Sequence, residues 1–103
     1  MWAQLIKTRL KPGREGDLET LYAQLRAAEQ PGSGLVRSLA MHDQSDHLSA
    51  YMLVVFESED AARARESDPR RQEGLQAARA TMAEIFDGPP EFIDLVIDDE
   101  MMG

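Results

Sequence analysis

The chain has 103 residues, a length that fits one domain over residues 1–103. Its 19 acidic residues outnumber 11 scattered lysines and arginines, giving a net charge of −8, which argues against nucleic acid and anionic membrane surfaces as partners. There is no cysteine, so disulfides, thiolate metal sites, Fe–S clusters and cysteine nucleophiles are excluded together.

Trp2 to Leu10 alternates, with Trp2, Gln4, Ile6, Thr8 and Leu10 on one face and Ala3, Leu5, Lys7 and Arg9 on the other, which predicts a strand. Pro12-Gly13 ends it. The opening Met-Trp-Ala-Gln-Leu-Ile-Lys lacks the basic and apolar halves of a signal peptide, so a cytoplasmic protein is expected. From Arg14 to Glu29, Leu18, Leu21, Tyr22, Leu25 and Ala28 recur at helical spacing. Gln30-Pro31-Gly32-Ser33-Gly34 stops that helix.

Leu35 to His42 reads as a second strand, with Leu35, Arg37, Leu39 and Met41 opposite Val36, Ser38, Ala40 and His42. Asp43 to Asp46 are turn formers, and Leu48 to Phe56 is a third strand that is apolar on both faces. Such a strand belongs inside a sheet covered on both sides. Its apolar stretch is far shorter than the ~20 residues of a membrane helix. Ser58 caps a short helix through Ala62, and Asp68-Pro69 opens a longer one to Phe86 with Leu75, Ala78, Met82 and Ile85 on one stripe. Phe92 to Asp98 is the last strand.

The order βαββαβ defines an α+β, ferredoxin-like protomer, with both helices on one face of an antiparallel sheet. The opposite face stays bare although its middle strand is apolar there. A large bare apolar face is uncommon on a monomer. A homodimer packed through the two sheet faces is therefore expected.

The stretch "VVFESEDAARARESD", residues 54 to 68, resembles the antibiotic-biosynthesis-monooxygenase (ABM) superfamily, as do Lys11-Pro12-Gly13 after the first strand and Pro31-Gly32 before the second. The likeness extends over the chain by element order. It implies a dimeric α/β barrel with a pocket between sheet and helices. It also implies, for one branch, oxidation of quinol- or anthrone-like aromatics without metal or flavin, so no cofactor is expected. A haem-degrading branch resembles a pattern of Asn, Trp and His at positions where this chain has Ile6, Arg65 and the Gly74-Leu75 region. No imidazole is offered there for iron.

His42, Asp43, Asp46 and His47 have the residue types of a metal site, but their place between two strands reads as a hairpin turn, and no metal is expected. Gln4 and Thr8 are polar groups on an apolar face, candidates for substrate contact or for cross-strand hydrogen bonds. Gln4, Tyr22, Arg37, Tyr51 and Met82 form the candidate substrate-binding set. The mid-strand Arg37 suggests an ion pair with an acid such as Asp94, or an anionic ligand. Met41, Met52 and Met82 read as core filler, and Trp2 as an edge or interface anchor. No catalytic set is assigned. The expected function is a cofactor-independent monooxygenase of a small aromatic; the alternative is a non-catalytic dimeric module that binds a small hydrophobic ligand.

Overall fold

The computed structural model describes residues 1–103. Four strands, β1 (Trp2–Arg9), β2 (Leu35–Asp43), β3 (Asp46–Phe56) and β4 (Glu91–Val96), form one antiparallel sheet in the order β2-β3-β1-β4. Helix α1 (Leu18–Ala28) follows a 3-10 turn at Glu15–Asp17; α2 (Glu59–Glu66), α3 (Pro69–Gly74) and α4 (Gln76–Ile85) lie between β3 and β4. This is the split βαβ arrangement expected from the element order. No helix is long and apolar enough to cross a membrane.

Local chemistry explains the boundaries. The Ser58 hydroxyl accepts a bond from Ala61 N–H at 3.1 Å and so caps α2. Asp68 accepts from Arg70 N–H at 2.9 Å, with Pro69 just behind it, which opens α3. The single helix expected from Pro69 to Phe86 is instead two, joined at Leu75. At the end of α3, a Cβ on Gly74 would lie 3.1 Å from the backbone of Ala28, so glycine lets this turn press against α1.

The register sorts the sheet into two faces. Toward the helices lie the rows Leu35–Phe56–Trp2–Val96, Ser38–Val54–Gln4–Asp94 and Ala40–Met52–Ile6–Phe92. Away from them lie Arg37–Val55–Ala3–Leu95, Leu39–Leu53–Leu5–Ile93 and Met41–Tyr51–Lys7–Glu91. Strict alternation would group Leu35 with Arg37, but a bulge falls between them, so Leu35 packs with Phe56 on the helix side while Arg37 faces away.

Trp2 is not at an edge. β1 is an interior strand, and the indole is buried, its ring tilted against Phe56 at 6.0 Å between centroids. Met41 is not core filler: it faces away from the helices and is 40% exposed.

Only thirteen residues are buried, and they fall into two main clusters. One joins Leu10, Leu21, Ala28, Leu75, Ala78 and Ile85, where α1, α3 and α4 meet. The other joins Trp2, Val54, Phe56 and Ala62 at the far end of the sheet. Ile6 and Met52 lie between, only partly buried. The middle of the helix–sheet layer is therefore not filled by side chains.

Candidate functional site

That unfilled layer is a cavity of about 590 Å³. Small-molecule sites run from roughly 300 to 1,000 Å³ and are mostly apolar with a few converging polar groups. The floor here is the helix-facing side of the sheet, with Trp2, Ile6, Met52 and Phe56; the roof carries Leu25, Met82 and Phe86. Polar groups enter through the second row, where Gln4 and Ser38 both line the space.

Gln4 is held in place. Its Nε2 donates to Asp94 Oδ1 across the β1–β4 pair at 3.0 Å, and Asp94 Oδ2 accepts from Arg63 Nη2 at 3.1 Å. One amide N–H and the amide oxygen of Gln4 stay unused by this pair. The Arg63 guanidinium also lies over the Trp2 ring at 5.1 Å. Thr8 does what a polar strand residue most simply does: its hydroxyl donates to Ala50 O at 2.9 Å.

Of the candidate set, Gln4, Tyr22 and Met82 border the cavity. Burial pushes the Tyr22 hydroxyl's pKa up, so it is a neutral donor near neutral pH. Tyr51 also reaches the cavity boundary, while its pairing with Lys7 and Met41 places it in a row of the opposite face. Arg37 is outside the lining and on that opposite face. Its expected ion pair is not formed, because Asp94 lies on the helix side and is taken by Arg63 and Gln4.

The hairpin reading of residues 42 to 47 holds. Gln44 and Ser45 form the turn, Asp43 Oδ1 accepts from Ser45 N–H at 2.7 Å, and Asp46 accepts from Arg9 at 2.8 Å. The rings of His42 and His47 sit 5.8 Å apart, outside the cavity lining.

What the residue pattern did not disclose is a wall of arginine. Arg26, Arg63, Arg65, Arg71 and Arg79 line the cavity, against two acids, Glu29 and Glu66. Arg65 grips Glu29 with Nη2 at 2.8 Å and Nε at 3.0 Å, and lies over the Phe56 ring at 5.3 Å. One signal for this wall was present. Arg71 stands four residues before Leu75, on the stripe that continues through Ala78 and Met82.

The Arg65–Glu29 pair makes a pH-dependent contribution to stability. Partial burial pushes the Glu29 carboxyl up, but bonds from Arg65, Ser33 and the Gln30 backbone outweigh it and hold it below the ordinary glutamate range. A group lowered in the folded state stabilises above its unfolded value, and the benefit is lost as pH falls through the folded one. Glu29→Gln is expected to lose about 1–2 kcal/mol of stability near neutral pH. The gap should narrow as pH drops below about 4.3, which urea titrations along that range would read.

Fold and cavity together define a ferredoxin-like α+β protein with a small-molecule-sized space between sheet and helices. More particularly, the chain has the fold of solved structures named antibiotic biosynthesis monooxygenases. SnoaB, a cofactor-independent oxygenase from Streptomyces nogalater, superposes with a TM-score of 0.75 at 17% identity, covering 97% of this chain and 95% of that one. A protein from Nitrosomonas europaea that carries the antibiotic biosynthesis monooxygenase name gives 0.76 at 12% identity, covering 96% and 100%. Rv0793 from Mycobacterium tuberculosis gives 0.74 at 16% identity, covering 98% of each. At such identities the likeness is one of fold. No family sequence model and no curated protein matches the chain.

Proposed function

We propose that the chain is a cofactor-independent monooxygenase of a small quinol- or anthrone-like aromatic, working as a cytoplasmic homodimer joined through the sheet faces. The observation that carries this reading is the apolar cavity of about 590 Å³ with the Gln4 amide held at its floor by Asp94. That SnoaB, which shares the fold, is a cofactor-independent oxygenase supports it. The face-to-face dimer is supported by Leu39, Met41 and Leu95, which are 43%, 40% and 38% exposed on the face the helices leave bare.

The chemistry balances without a further reductant. An anthrone methylene and O₂ give a quinone carbonyl and water. One oxygen atom ends on carbon, the other takes the two methylene hydrogens, and the substrate supplies the electrons. The protein's part is a dry site and donors for the enolate that forms when the methylene loses a proton. Gln4 offers its free amide N–H, and Tyr22 its hydroxyl.

A second reading, a dimeric module that binds a small hydrophobic ligand without turnover, is favoured by one observation. Both acids of the lining are engaged by arginine, Glu29 by Arg65 and Glu66 by Arg63 at 3.5 Å, so neither is a free base. Oxygen uptake with a panel of anthrones and quinols separates the two. The oxygenase reading expects saturable uptake above autoxidation, lowered roughly 10²-fold by Gln4→Leu. Uptake no faster than autoxidation across the panel overturns it and leaves the binding module.

A further inference from the structure

The cavity wall is positive in a chain whose net charge is −8. Five of its arginines converge there, and most are already committed. Arg63 serves Glu59, Glu66 and Asp94, and Arg65 serves Glu29. Arg79 donates to the Gln72 side chain and backbone, and Arg26 is exposed at the end of α1.

Arg71 differs from all of these. It stands on α3 between the cavity and a smaller cleft beside the Gln30–Gly34 turn, and it lines both. It is only partly exposed, yet it makes no side-chain hydrogen bond and no carboxylate lies within salt-bridge distance. Burial pulls its pKa down, as do the Arg65 and Arg79 charges, and Glu29 and Glu66 offset this only in part. A half-buried guanidinium whose nearest strong neighbours include two cations is costly unless an anion joins it.

We infer that the cavity takes an aromatic carboxylic acid, its rings between the apolar floor and roof and its carboxylate on the unpartnered guanidinium of Arg71. This rests on the reading of the cavity as a ligand site and narrows its ligand class. A planar guanidinium suits a carboxylate through two parallel N–H donors, whereas a lysine would offer a point charge. The anion would also relieve the repulsion from Arg65 and Arg79.

A matched pair of fluorescent probes tests it: anthracene-9-carboxylate and the neutral 9-anthracenemethanol, of nearly the same shape. The wild type should bind the carboxylate at least about tenfold tighter than the alcohol, a preference of about 1.4 kcal/mol. Arg71→Met should abolish most of that preference while alcohol binding stays within about twofold. Arg71→Lys should keep part of it, and Lys11→Met, at an exposed site outside the lining, should leave both affinities unchanged. Circular dichroism of each variant establishes that it is folded; if Arg71→Met does not fold, the Arg71→Lys comparison decides, and undiminished preference there overturns the assignment. Equal binding of the two probes by the wild type, or a preference that survives Arg71→Met, overturns the carboxylate assignment alone and leaves the oxygen-uptake question open. Binding of neither probe overturns the ligand-site reading with it.

Discussion

Gly34→Ala is expected to lower the free energy of unfolding by roughly 2–4 kcal/mol, with an unchanged urea m-value. Two independent penalties add. Gly34 has φ +81°, in the left-handed region where a side chain costs about 1–2 kcal/mol. A Cβ there would also sit 2.6 Å from the Cβ of Ala61, in the first turn of α2. That neighbour cannot swing away, because a Cβ moves only with its backbone. Ala61 N–H is tied to the Ser58 cap, and Gly34 O accepts from Glu57 N–H at 3.0 Å, so both sides of the contact are anchored. Gly32→Ala provides the comparison. It has φ +72° but nothing within 4 Å of its would-be Cβ, so only the conformational penalty, about 1–2 kcal/mol, applies. Equal losses in the two variants would mean that β2 and α2 separate freely, contrary to the packing described.

The contact at Gly34 also illustrates where the sequence was readable. Period-two alternation in β1 and the two-sided apolar run in β3 were legible because each rests on local geometry alone. The Ser58 cap and the helix start at Pro69 were legible for the same reason. The bulge after Leu35 was not, since nothing in Leu-Val-Arg-Ser announces an unpaired residue, so alternation alone puts Arg37 on the face of Leu35. The break at Leu75 was hidden too, because a helix bends around what it packs against, and Ala28 is distant in the chain. Gln4, Tyr22 and Met82 line the cavity because each stands on a face or stripe that points inward. The arginine wall was missed because charged residues on helices read as a solvated face. Whether they turn toward solvent or toward a cavity depends on how far α1 and α4 stand off the sheet, which no local pattern records.

Leu53→Asp is expected to convert the proposed dimer to a folded monomer. Leu53 is central in the row Leu39–Leu53–Leu5–Ile93, on the face away from the helices, with β1 on one side and β2 on the other. In a two-fold pairing of sheet faces, one substitution enters the interface twice. Each buried, unpaired carboxylate costs roughly 2–4 kcal/mol, so the dissociation constant should rise by about 10³-fold or more. The protomer itself should survive. Both main buried clusters lie on the helix side of the sheet, and in an isolated chain Leu53 is only partly covered. Light scattering at micromolar concentration reads the outcome directly, as twice 11.5 kDa for the wild type and a single chain for the variant. Lys7→Ala, at the polar margin of the same face, should shift the equilibrium far less, because rim charges contribute little to affinity. A wild type that scatters as one chain would remove the dimer and leave the cavity untouched, since floor, roof and arginine wall all belong to a single protomer.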